Sequence, residues 1–206
     1  MTILKIPPSR DEIITMVVDN MYGRPILDNT RRGDVAEMIV LSALGPSWKY
    51  VGLGWHPWDL QRGSGSERVR IQVKQCAALQ LWGKTKSLGL KFGWKKKAPD
   101  YFAKYNPGEK IESEGWFCDL FVFGLHLEEN INKADQLDPK QWEFLVIPTN
   151  DLKRGQDSMV LTKALKRWRP VTWCDLLDEV ECAIKRRRSD YASLIRPTAL
   201  RLPVFS

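Results

Sequence analysis

An α/β fold, with a mixed central β-sheet flanked by helices, is what this sequence predicts, and three observations predict it. Apolar residues recur at helical spacing near both ends, one central run alternates apolar with polar residues, and two later runs are so densely apolar that both faces must be buried. The 206 residues, 43% of them hydrophobic, are enough for one substantial domain with a real core. Residues 1–206 are therefore expected to form a single domain.

The elements follow in chain order. Ser9 before Arg10-Asp11-Glu12 forms a capping box, and Ile13, Ile14, Met16, Val17 and Val18 behind it predict an N-terminal helix that packs on the core. A second helix starts near Asn29 or Thr30, carries Glu37 inside its apolar stretch and stops at Gly45-Pro46. Tyr50 to Leu60 suggests a strand. The Gly/Ser segment from Gln61 to Glu67 then turns the chain antiparallel into a strand from Val69 to Cys76. Trp116 to Leu127 and Trp142 to Pro148 are the two buried strands. Periodicity at Leu161, Leu165 and Trp168, and again at Leu176, Leu177, Val180 and Ile184, predicts two C-terminal helices over about 159–188. The last is expected to end in Lys185-Arg-Arg-Arg, where the cations would complement the helix dipole or contact phosphate, the first reading being favoured.

Charge narrows the partner. With 32 basic and 25 acidic residues the net charge is +7, which favours a polyanion, nucleic acid first among them. Most of the excess sits in an insertion at about 84–110, where eight lysines face only Asp100 and Glu109. Lys95, Lys96 and Lys97 are the expected phosphate contacts, with Trp94 beside them as a stacking ring. Four scattered cysteines and two histidines argue against a zinc finger. The absence of a signal-like apolar region and of a run of about 18 apolar residues predicts a cytoplasmic protein with reduced thiols and no membrane partner.

The chemistry concentrates in Val69-Arg-Ile-Gln-Val-Lys-Gln-Cys76. Alternation puts Gln72 and Lys74 on the face opposite Val69, Ile71 and Val73, and the upstream turn can bring the Asp59 carboxylate beside them. A carboxylate, an amide and an ammonium at strand ends suit a divalent cation and a phosphate, the requirements of phosphodiester hydrolysis. Asp138-Pro-Lys140 and Asp151-Leu-Lys153 have the same short form, but Pro139 argues against a central strand at the first and the second lacks a partner strand. His56, between Trp55 and Trp58, reads as structural, and Asp119 as a polar residue at a strand end.

Asp59, then Gln72-Val73-Lys74 on the next strand, with Glu37 on the preceding helix, resembles the PD-(D/E)xK nuclease superfamily, the restriction-endonuclease-like proteins. The resemblance spans roughly residues 34–148 and implies an αβββαβ core. It implies a magnesium (or manganese) ion held by Asp59, Gln72, the Val73 backbone carbonyl and Glu37, with Lys74 near the attacking water. Two positions depart from the family pattern: Trp58 replaces its proline, and Gln72 replaces its acid, a Gln-x-Lys form found in the Mrr-like branch. Gln75 or Gln80 is expected to contact the site or the nucleic acid. The implied activity is a metal-dependent DNA endonuclease, restriction-type and commonly homodimeric. Two alternatives stay open: a nucleic-acid-binding protein whose core has lost catalysis, and a junction-resolving or repair nuclease.

Overall fold

The computed structural model describes residues 7–53, 56–81, 83–84, 90–105, 114–152 and 157–195. Helix α1 (Arg10–Tyr22) opens on the expected capping box, with the Ser9 N–H donating to Glu12 at 2.7 Å and the Glu12 N–H to Ser9 Oγ at 3.2 Å. It buries no residue, however, and Ile13, Ile14, Met16, Val17 and Val18 stay exposed. The sheet face it was expected to cover is already occupied by α2 (Asn29–Leu44) and α5 (Leu176–Ile195). Asp28 caps α2 by accepting the Arg31 N–H at 2.9 Å, and Gly45, at φ 78°, ends it. That helix buries Arg32, Val35, Ala36, Ile39, Val40 and Leu44.

Five strands form the central sheet, in the order β1 (Lys49–Tyr50), β2 (Leu60–Arg62), β3 (Val69–Ala77), β7 (Leu120–His126), β8 (Trp142–Pro148). Neighbours are antiparallel except β3 and β7, which run parallel with Gln72 opposite Phe121 and Lys74 opposite Phe123. The expected single strand from Tyr50 to Leu60 is instead two short strands paired with each other, because Gly52 and Pro57 interrupt the run. The β2–β3 turn behaves as expected, with Gly63 and Gly65 at φ 70° and 54°.

Each sheet face has its own core. Val69, Ile71, Val73, Leu120, Val122, Phe144 and Val146 pack with α2 and α5. Cys76, Phe121, Phe123, Leu125, Leu145 and Ile147 pack on the other side against β6 (Lys91–Gly93), α3 (Pro99–Tyr105), β9 (Ser158–Val160) and α4 (Leu161–Ala164). All of β7 is buried, as its composition required. A small hairpin, β4 (Leu79–Gln80) with β5 (Gly83–Lys84), follows β3.

The described part of the basic segment, residues 90–105, is woven into this second layer rather than appended to it. Strand β6 pairs antiparallel with β9, and Phe92, Trp94 and Phe102 are core residues. The C-terminus differs from expectation in two ways. The periodicity at Leu161, Leu165 and Trp168 yields only one helical turn, while α5 runs on through Lys185-Arg-Arg-Arg to Ile195. The arginines are thus mid-helix and cannot complement its C-terminal dipole. Arg186 pairs with Glu179 at 2.7 Å and Arg187 with Asp119 at 2.8 Å. Among the described residues no helix is long and apolar enough to cross a membrane.

Candidate active site

Asp59 sits one residue before β2. Its N–H donates to the Ile71 carbonyl at 2.9 Å, so the β2–β3 register, Leu60 opposite Ile71, carries on and sets Asp59 opposite Gln72. Asp59 Oδ2 accepts the Val73 N–H at 2.7 Å. A main-chain donor therefore orients one carboxylate oxygen, and Oδ1 accepts no hydrogen bond among the described residues. Gly52 stands directly over this carboxylate: a Cβ there would lie 3.2 Å from Asp59 Oδ1 and 3.1 Å from its Cα. The glycine keeps the approach to Asp59 open, a role that one Gly in Val51-Gly-Leu-Gly did not advertise.

Gln72 and Lys74 share the face of β3 that also carries Cys76, with the stacked rings of Phe121 and Phe123 alongside on β7. Gln72 is 8% exposed, yet its side-chain amide makes no hydrogen bond among the described residues. Lys74 is half-buried beside it.

Glu37 reaches the same place from α2. Burial, and then the negative charge of Asp59, push its carboxyl up to about 7, against opposing pulls from the Tyr50 hydroxyl and Lys74. Burial likewise raises Asp59, opposed by the Val73 N–H and by Lys74 and Lys97. Gln72 lies opposite Asp59 and shares a face with Lys74, Glu37 is electrostatically coupled to Asp59 and Lys74, and Tyr50 is an unforeseen further group whose hydroxyl burial and Glu37 push up to about 12.

These shifts fix a sign. A carboxyl whose folded value exceeds its unfolded one binds its proton more tightly when folded, so its contribution to stability is present at low pH and is lost as pH rises from about 4.5 to about 7 for Glu37. Asp59 acts in the same direction. Thermal melts across that window should show Glu37→Gln gaining on wild type as pH rises. A parallel pair of melting curves would mean that Glu37 is not perturbed.

The basic triplet does not act as a unit. Lys95 is exposed, Lys96 lies 3.9 Å from Glu114 with its ammonium over the Trp116 ring, and Lys97 turns inward to donate to the Pro57 carbonyl at 3.3 Å. Trp94 is 1% exposed and packs edge-on against Phe123, so its ring is core and not a surface on which bases stack. Gln75 and Gln80 face away from the site and hold the buried Arg32 guanidinium. Asp119 is structural: it accepts from the Arg70 N–H, Nε and Nη2 at 2.7, 3.1 and 3.1 Å, as well as pairing with Arg187. His56 holds the Trp58 carbonyl through Nδ1 at 3.1 Å and stacks edge-on against the Trp58 ring. Asp138 caps a 3₁₀ turn, so the first of the two short look-alike motifs is a turn.

Two carboxylates, an amide oxygen and an oriented main chain are the kinds of donor a hard divalent cation takes, with places left for water and phosphate. Among the described residues no group of three or more His, Cys, Asp or Glu side chains is placed to hold a metal ion. No known family's sequence model matches this chain, and no curated protein sequence matches it either.

Proposed function

We propose that this protein is a metal-dependent DNA endonuclease of the restriction-endonuclease-like type. The observation that carries the reading is the arrangement of Asp59, Gln72, Lys74 and Glu37, with the Val73 N–H orienting Asp59. Within the five-stranded sheet, α2 followed by β1, β2 and β3 supports it; the resemblance's next helix corresponds to α3, which here comes only after the β4–β5 hairpin and β6 and before β7.

Asp59 and Glu37 would hold the cation, with the Gln72 amide oxygen and the Val73 carbonyl as further ligands. Bound there, a magnesium or manganese ion supplies Lewis acidity to the phosphate and a water of lowered pKa. The chain's own part is to aim Asp59, keep Glu37 ionisable and present the Lys74 ammonium where the attacking water and the developing negative charge meet. Phe121 and Phe123 keep that charge in a poorly solvated setting, where each ammonium counts for more. Exposed Lys95 and half-buried Lys96 support DNA as the substrate, and the exposed apolar residues of α1 support a homodimer.

The test is cleavage of mixed-sequence plasmid and phage DNA with magnesium, with manganese and with EDTA. Wild type should cut with either ion and not with EDTA, and Lys74→Ala should be slower by about 10²-fold or more. DNA binding without cutting under every condition would replace the nuclease by the binding-protein alternative. Preferential cutting of branched over linear substrates would point to a junction-resolving or repair nuclease.

A further inference from the structure

We propose that the cavity between α5 and the leading ends of β3 and β7 is a nucleotide subsite, which holds one backbone phosphate of DNA against Arg187 and the attached deoxyribose on an apolar floor. That the ligand is DNA rests on the nuclease reading; that it is an anion with an apolar part rests on the cavity alone.

The cavity measures about 310 Å³, near the lower end of the range for small-molecule sites, about 300–1,000 Å³. It shares no lining residue with the group formed by Asp59, Gln72, Lys74 and Glu37. Its floor consists of Val69, Leu120 and Ile184, buried side chains of the core between the sheet and α5. Its walls are polar. Ser66 and Arg68 come from the turn that leads into β3, Asp119 from the residue before β7, and Arg187 from α5. An apolar floor under such walls suits a phosphate that carries a sugar better than a bare inorganic ion, which would leave the floor wet.

Asp119 does not close the cavity to anions, because its own charge is already shared. Oδ2 accepts the Arg70 N–H and Nε at 2.7 and 3.1 Å, and Oδ1 accepts Arg70 Nη2 at 3.1 Å and lies 2.8 Å from Arg187 Nη2. Two guanidiniums on one carboxylate leave one positive charge over. Arg70 has committed both of its edges to Asp119, whereas Arg187 commits only Nη2, and its buried Nε bonds nothing in the protein. Arg187 lines the cavity and keeps 34% of its side chain exposed, so a phosphate can reach the planar fork of N–H donors that suits it. Asp119 is then a positioning residue that holds this fork at the cavity wall, and the apolar floor strengthens its attraction for an anion.

The full-length protein, kept in EDTA so that no cation recruits phosphate to Asp59, is titrated with deoxyadenosine monophosphate and with inorganic phosphate. Wild type should bind the nucleotide about tenfold more tightly than the inorganic ion, the sugar being what the floor adds. Arg187→Gln should weaken nucleotide binding about tenfold. Ser66→Asp, which sets a carboxylate on an exposed wall position and leaves every described contact in place, should weaken it as much and stands in if Arg187→Gln misfolds. Arg186→Gln, at a neighbouring arginine that pairs with Glu179 and lies outside the lining, should leave it unchanged. With duplex DNA, Arg187→Gln should also lower the salt slope by about one. A nucleotide that binds no more tightly than inorganic phosphate, or an affinity that neither Arg187→Gln nor Ser66→Asp moves, overturns the subsite while the nuclease reading stands. A wild type that binds the nucleotide in this way but cuts no DNA with magnesium or manganese keeps the subsite and overturns the nuclease reading.

Discussion

Asp59→Asn should lose about 10³-fold or more in cleavage rate and yet melt at a higher temperature than wild type. The loss follows from the proposed chemistry: the substitution would remove the deeply buried Asp59 carboxylate, and with it the main ligand charge for the cation proposed to polarise phosphate and water. The gain follows from the fold. Asn is nearly isosteric, and its carbonyl oxygen can still accept the Val73 N–H now held by Oδ2 at 2.7 Å. What disappears is a buried negative charge whose pKa the fold raises, chiefly by burial. Such a group costs stability at pH above its folded value, so a neutral replacement relieves that cost. Opposite movements of rate and melting temperature mark a residue kept for function against stability. Single-turnover cleavage and thermal melts at neutral pH measure both. A variant that retains a tenth of the activity, or melts below wild type, would place Asp59 among the structural acids with Asp119.

The site's strand was legible because its signal is local. Alternation over Val69 to Cys76 fixes which side chains share a face, and a Gly-rich turn fixes the antiparallel return, so Asp59, Gln72 and Lys74 could be brought together from spacing alone. The unbroken apolar run in β7 was equally local, since only a strand covered on both faces has that composition. What sequence misplaced was everything decided by a third element. The Ile13 to Val18 stripe looks like a core helix, but whether it finds a sheet depends on α2 and α5 having covered that face first. Trp94 and Lys97 are close in sequence and look alike as surface groups. Pairing of β6 with β9 sends the ring into the core, while Lys97, bridged to Gly115, turns its ammonium inward to the Pro57 carbonyl. Gln75 and Gln80 looked like site residues because they follow the motif, and only the position of α2 shows that they serve an arginine.

That arginine carries the largest expected effect on stability. Arg32→Ala should cost about 3–5 kcal/mol, the usual penalty for breaking a fully buried polar cluster. Arg32 is 0% exposed, and its guanidinium is held by neutral oxygens throughout. Nε donates to Gln75 Oε1 at 2.8 Å; Nη1 to the carbonyls of Ile26, Leu27 and Leu79 at 3.2, 3.2 and 3.4 Å; Nη2 to Gln80 Oε1 at 3.0 Å and to Asn29 Oδ1. Burial lowers its pKa, but a guanidinium stays charged at any ordinary pH, so the cluster does not dissolve by deprotonation. Truncation would strand these carbonyl and amide oxygens and unlock the start of α2 from the end of β3. Glu37 rides on the same helix, so cleavage should fall as well, through loss of position. Arg62 is the internal control. It is a half-exposed arginine paired with Glu181 and lying 4.8 Å from the Trp48 ring centroid, and its loss should cost only about 1 kcal/mol. Urea midpoints for Arg32→Ala and Arg62→Ala, with equal slopes, measure the two costs on one scale. Equal costs would mean that the Arg32 cluster is replaceable by water and that α2, with Glu37, is held by its apolar face alone.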